Sequence, residues 1–164
     1  MDRRQLLMLM GLIGVVAGLV VWGVKDSQNR QELKRYTKED INRPRLVVKE
    51  RFKDMGEMRL QETRSTEFVL KNEGNKDLQV YYGSTNCGCT FGQVITAGKK
   101  SPVFGMHSNQ KFLVSVPPGE EFVVRAIYKP FLMPVKGPVQ RAVYIKTNDP
   151  DNPQVEFVVG AVVR

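Results

Sequence analysis

The sequence predicts an all-β fold, an immunoglobulin-like antiparallel β-sandwich preceded by a single N-terminal transmembrane α-helix. Three observations carry that expectation. The stretch QLLMLMGLIGVVAGLVVWGV, Gln5 to Val24, holds no charged residue; as a helix it would span about 30 Å, the thickness of a bilayer's hydrocarbon core. Beyond Arg45 the apolar residues alternate with period two, as in EFVVRAIYK and VEFVVGAVV, which is the repeat of a half-buried strand. Between the alternating runs stand NEGNKD, PPGEE and NDPDNP, whose Asn, Asp, Gly and Pro favour tight turns.

Taken from the N-terminus, residues 1–24 read as a short tail and an anchor helix. The competing reading is a cleaved signal peptide, but the apolar run is longer than a usual signal core and no small-x-small cleavage site precedes Lys25. Gly11, Gly14 and Gly18 lie broadly along one face of that helix, a small-residue surface that lets a second membrane helix approach closely. Arg3 and Arg4 before the helix compete with Lys25, Arg30, Lys34, Arg35 and Lys38 after it as markers of the cytoplasmic side. A short basic tail is the usual start of a signal anchor, and long following domains are exported largely regardless of charge. The expected placement is therefore a single-pass membrane protein with its domain on the extracytoplasmic, periplasmic side.

Residues 25–44 form the next segment, a charged spacer. It has no Gly or Pro before Pro44, and SQNRQELKRYTKED places opposite charges three and four apart, so a helix continuing from the anchor is expected. A flexible charged linker is the alternative, because Leu33, Tyr36 and Ile41 are sparse apolar positions. Residues 45–164 then form the sandwich. Strands are expected at Leu46 to Glu50, Thr66 to Lys71, Leu78 to Tyr82, Phe112 to Val116, Phe122 to Tyr128, Val139 to Lys146 and Val155 to Val163. Short strands with polar turns and no helical pattern between them indicate a sandwich.

Four stretches in order, FKDMGEM, STEFVLKNEGNKDLQVYYGSTNCGCT, VPPGEEFVVRAIYKP and VYIKTNDPDNPQVEFVVGAVV, resemble the bacterial family called domain of unknown function 1573. That family is similar to the Hydin-like and major-sperm-protein-like sandwiches. The resemblance runs over about residues 46–164, and its Cys-Gly-Cys-Thr and Thr-Asn-Asp-Pro elements are the most specific. It implies an immunoglobulin-like fold, often exported, with no established enzymatic activity. One departure stands out: the segment FGQVITAGKKSPVFGMHSNQKFLVSV, about 91–116, is longer than the family's usual link and is expected to form an inserted loop or hairpin.

The only two cysteines, Cys87 and Cys89, flank one glycine. In an extended strand their Cα atoms would stand about 6.6 Å apart, near the upper limit for a disulfide, so a bond needs a kink at Gly88. Thioredoxin chemistry and haem attachment both need two residues between the cysteines, and this spacing satisfies neither. Two thiolates could hold a soft metal such as Cu(I) or Zn(II), with Met106 and His107 completing the set. The third alternative, two small side chains packed in the core, is the expected state, with no cofactor or metal.

No nucleophile elbow, phosphate loop or metal pair at helical spacing is present, and His107 is the only histidine, so no enzyme is expected. The net charge of +8 is concentrated near the membrane: residues 25–45 carry seven Lys or Arg against four Asp or Glu. Lipid headgroups and acidic protein surfaces are nearer targets than nucleic acid, for which no interleaved aromatic and basic motif exists. The expected role is a membrane-anchored, non-catalytic accessory or scaffold subunit. It would contact other subunits of a membrane protein complex, such as an energy-transducing one, through Gly11, Gly14 and Gly18 in the bilayer and through Lys99, Lys100, Phe104, Met106 and His107 on the insertion. The alternative is an extracytoplasmic thiol-redox or copper-handling protein that uses Cys87 and Cys89.

Overall fold

The computed structural model describes residues 32–108 and 110–164. In chain order its strands are β1 (Leu46–Val48), β2 (Phe52–Met58), β3 (Arg64–Asn72), β4 (Leu78–Thr85), β5 (Thr90–Ile95), β6 (Val114–Val116), β7 (Glu121–Tyr128), β8 (Gly137–Thr147) and β9 (Gln154–Val163). They form two sheets, β1-β3-β7-β5 and β2-β9-β8-β4-β6. The anchor helix expected at 5–24, with Gly11, Gly14 and Gly18, lies outside the described residues. Among the described residues no helix is long and apolar enough to cross a membrane.

The alternation read from the sequence sets the two inner faces. In β7, Phe122, Val124, Ala126 and Tyr128 point inward; in β9, Val155, Phe157, Val159, Ala161 and Val163 do so. The sheets meet where the Phe68 and Phe157 rings stack at a tilt with centroids 4.8 Å apart. Each large side chain so withdrawn from water contributes about 1.5–3 kcal/mol, which is why one core suffices for this domain.

Two strands carry no readable alternation. In β2 only Met55 and Met58 are buried, because Gly56, at φ +70°, breaks the register between Asp54 and Glu57 and moves the inward phase by one residue. The Asp54 carboxylate accepts the Gly56 N–H at 2.8 Å and holds the bulge. In β5 the inward residues are Thr90, Gly92 and Val94, of which two are small or polar. The sandwich is also not wholly antiparallel: β2 runs parallel to β9, because the chain reaches the sheet edge by crossing from β1 rather than through a hairpin.

The expected helix over the charged spacer is not formed by its described part, residues 32–43. The charges that would pair along a helix are used elsewhere. Arg43 pairs with Asp151 at 2.6 Å and Lys38 with Asp151 at 4.0 Å. The Lys34 N–H donates to Gln79 Oε1 at 2.7 Å, and Thr37 and Asp40 close a local turn. The Lys34 and Thr37 N–H groups, committed to side-chain acceptors, are not available to an i to i−4 ladder, and the ion pairs tie the extended segment to the Asp149–Asp151 corner.

The expected insertion at 91–116 is divided in the structure. Its first part is β5, a member of the main sheet. The chain then turns at 96–99 and runs back along β5 through the pairs Ile95–Lys100 and Gly92–Phe104, so the added element is a short hairpin.

Candidate functional site

The segment from Asn86 to Thr90 carries the chain from β4 in one sheet to β5 in the other, and Asn86, Cys87, Cys89 and Thr90 are each hydrogen bonded in that crossing. Asn86 exchanges bonds with Ala142 of β8, its N–H reaching the Ala142 carbonyl at 3.1 Å and its Oδ1 accepting the Ala142 N–H at 2.9 Å. The Thr90 N–H donates to the Cys87 carbonyl at 3.1 Å, closing the turn, and the Lys129 N–H donates to the Cys89 carbonyl at 2.8 Å. Thr85 Oγ1 stands 3.0 Å from the carbonyls of both Cys87 and Thr90.

This turn brings the Cα atoms of Cys87 and Cys89 to 5.2 Å, and the two are joined by a disulfide. The expectation of two free packed thiols is corrected. Both residues do belong to the buried core cluster, but the kink at Gly88 shortens the extended separation into the range a disulfide needs. The pair is asymmetric: Cys89 is 0% exposed, while Cys87 is 8% exposed.

Arg141 and Met133 reach the sulfurs, and Tyr128 lies against Arg141. Arg141 of β8 donates its Nε–H to Cys89 Sγ at 3.2 Å, and its guanidinium stands over the Tyr128 ring, 5.6 Å from the centroid. The Tyr128 hydroxyl, buried beneath, has no hydrogen-bond partner among the described residues. On the other sulfur, Met133 Sδ lies 3.6 Å from Cys87 Sγ. It sits in the β7–β8 link, where Pro130–Leu132 form one 3-10 turn closed by the Leu132 and Met133 N–H groups. With these N–H groups bonded within the turn, the link turns Phe131, Leu132, Met133 and Val135 to solvent; Leu132 is 47% and Met133 51% exposed. Lys129 and Lys136 flank the apolar run, and Lys129 stands over the Phe91 ring at 5.3 Å.

The structure separates the other residues singled out from the sequence. Lys99 and Lys100 are exposed on the 96–100 turn. Phe104 does not reach solvent: it is 1% exposed and stacks on Phe112 with centroids 5.8 Å apart. Its ring fills the gap between β4 and β5, where Gly83 and Gly92 leave room; a Cβ on either glycine would collide with it. Phe104 is therefore core, and its assignment to a contact surface is corrected. Met106 and His107 are exposed beyond it. Among the described residues no three His, Cys, Asp or Glu side chains converge as a metal set, so His107 does not join the cysteines. Met133 is the contact that sequence reasoning missed: it lies 46 residues from Cys87, and no local pattern announces it.

A separate cleft of about 280 Å³ lies where residues 33–36 pass Tyr81 and the Thr147–Pro150 corner. It contains none of the sulfur residues.

Comparison with known proteins places these features in the fold. Residues 46–104 match the family model described as protein of unknown function (DUF1573), a span that runs from β1 through the cysteine turn to Phe104. No curated protein matches the chain. A crystal structure of a protein of unknown function from Porphyromonas gingivalis W83 is similar, with TM-score 0.55 and 17% identity; the match covers 73% of this chain and 46% of that one. The chain thus spans about half the length of that protein. The human CEP192 ASH/PapD-like domain 7 aligns with TM-score 0.49 and 11% identity over 82% of this chain and 97% of that one. The CARDB domain of a Pyrococcus furiosus protein aligns with TM-score 0.37 and 18% identity, over 73% and 95%. The fold is an all-β, two-sheet sandwich.

Proposed function

We propose that this chain is a membrane-anchored, non-catalytic accessory or scaffold subunit that docks onto another subunit of a membrane protein complex through the β7–β8 link. The observation that carries the reading is the run Phe131–Val135, four of whose five residues are large apolar side chains held in water by a hydrogen-bonded turn. Apolar groups presented on an ordered link are retained at a cost in solvation that a protein contact removes. Lys129 and Lys136 beside it fit an apolar surface rimmed by acidic side chains. Within this reading the uncharged segment Gln5 to Val24 is the membrane anchor, with Gly11, Gly14 and Gly18 facing a neighbouring helix. The domain stands on the extracytoplasmic side, and the family kinship extends through residue 164 to the Hydin-like and major-sperm-protein-like sandwiches.

A photo-reactive residue placed at Leu132 in the full-length chain tests the docking surface. It should cross-link to one membrane-complex subunit, and Leu132→Asp should abolish co-migration of that subunit in mild detergent. Migration only as an 18.6 kDa monomer in several mild detergents, or a complex that Leu132→Asp leaves intact, would sink the proposal.

A further inference from the structure

We propose that the reduced form of the cysteine turn is a three-sulfur site for Cu(I), built from Cys87, Cys89 and Met133. The inference shares Met133 with the docking run but does not rest on the docking role; it rests on four features of the site. First, the donors are chemically matched: thiolate and thioether sulfurs select soft Cu(I) over harder ions. Second, the spacing is right. A trigonal ion with metal–sulfur bonds of about 2.3 Å holds its sulfurs about 4 Å apart, and Met133 Sδ already stands 3.6 Å from Cys87 Sγ. A Cα separation of 5.2 Å lets side-chain rotation open the two cysteine sulfurs to the same distance.

Third, the charge balances. Two thiolates and one Cu(I) carry a net charge of −1, and Arg141 already donates to Cys89 Sγ at 3.2 Å, so the complex is neutralised where Cys89 is fully buried. Fourth, the alternatives lack ligands. Zinc in a structural site takes four donors, and no His, Asp or Glu side chain completes such a set among the described residues. The backbone of the turn is fixed by its bonds to Ala142, Lys129 and Thr90, so the cysteine donors are held in place before the ion arrives.

The disulfide must first be opened by a dithiol reductant. A thiolate of the reductant attacks Cys87 Sγ, the more exposed sulfur; the bond to Cys89 breaks, and Cys89 leaves as a thiolate beside the Arg141 guanidinium. The reductant's second thiol then attacks the mixed disulfide and releases Cys87. The dithiol loses two electrons and two protons and becomes a disulfide, while the protein gains two thiols. Cu(I) displaces the two thiol protons to solvent as it binds.

The test uses the full-length chain, reduced with dithiothreitol, freed of reductant without oxygen, and titrated with Cu(I) against a chromophoric Cu(I) chelator. One ion per chain is expected, with X-ray absorption showing three sulfur neighbours at about 2.3 Å; the oxidised chain should bind none. Met133→Leu, at an exposed position that tolerates the change, should weaken binding about tenfold, and Arg141→Gln about 10- to 100-fold. Binding no tighter than that of the Cys87→Ser/Cys89→Ser double variant overturns the inference. So does unchanged affinity in Met133→Leu, a two-sulfur absorption spectrum, or a loss in Met106→Leu or His107→Ala as large as that in Met133→Leu. The absorption spectrum reads the donors in the unmutated chain, so a variant that fails to fold leaves the question decidable.

Discussion

The two ends of the sandwich solve the same problem in opposite ways. At one end, where β4 begins and β8 turns into β9, polar groups are buried and fully used. The Asp149 carboxylate is inaccessible. Its Oδ2 accepts the Leu46 N–H at 2.9 Å and the Asn152 Nδ2–H at 3.0 Å, and its Oδ1 accepts the Asp151 N–H at 3.0 Å. Asn72, also buried, accepts the N–H groups of Arg45 and Gly74 and donates to the carbonyls of Lys76 and Val116. The Asn-Asp-Pro turn is thus a knot that ties β1 and the preceding chain to the β8–β9 hairpin. At the other end, where β4 ends and β7 finishes, sulfur replaces carboxylate and apolar side chains face water. A knot that satisfies its own polar groups presents no apolar surface; the other end leaves Phe131, Leu132, Met133 and Val135 facing water.

The contrast can be broken most severely at the knot. Asp149→Ala should cost about 3–5 kcal/mol, because it strands the buried Leu46 N–H and its neighbours without an acceptor; chemical denaturation measures the loss. If the cost is below about 1 kcal/mol, the knot is not what holds β1. Next, Phe104→Ala should cost about 3 kcal/mol by emptying the slot between Gly83 and Gly92, read as a lowered denaturation midpoint with an unchanged slope. A surface role for Phe104 would leave the midpoint where it was.

Smaller effects sharpen the other side of the comparison. Reduction of the disulfide should lower stability by only about 1–2 kcal/mol, since so short a loop restricts the unfolded chain little; a reductant series followed by thermal melting checks it. Leu132→Asp should leave stability within about 0.5 kcal/mol while removing the docking partner, the outcome that separates a contact surface from a structural one. The smallest effect concerns pH. Glu62 accepts from the Arg64 guanidinium at 2.9 and 2.5 Å and from the Arg59 N–H at 3.1 Å. Those bonds, Arg64 foremost, hold its carboxyl below the ordinary carboxylate value. A lowered folded value means the stabilisation is present above the ordinary range and is lost as pH falls through the folded one. NMR titration of Glu62 should therefore show a midpoint below that of a free glutamate, and Arg64→Gln should raise it.

The long strands were legible because their burial is one-sided. β7 and β9 place apolar residues at every second position throughout, and β3 and β8 do so over Phe68–Leu70 and Val143–Ile145; that period survives without any knowledge of partners. The turn at Asn148–Pro153 was legible for the same local reason, since Asn, Asp and Pro set its backbone. β2 and β5 were not. A bulge at Gly56 shifts the phase of one, and the other faces the core with a threonine and a glycine because Phe104, from a later segment, supplies the missing volume.

The spacer shows how tertiary bonding overrides local preference. Residues 32–43 have the composition of a helix, yet Lys38, Arg43 and Lys34 find partners in Asp151 and Gln79, and such distant bonds outweigh a propensity of a few tenths of a kcal/mol per residue. What the sequence by itself determined is the inward faces of the regularly alternating strands and the turns between them, which follow from the geometry of an extended chain; the kink that joins Cys87 to Cys89 is a tertiary outcome. Only the tertiary structure decided that Phe104 is core, that one strand pair is parallel, and that Met133 and Arg141 meet the cysteine sulfurs. Each of these depends on contacts between residues far apart in the chain, and the closure of a long loop leaves no periodic trace in the residues it brings together.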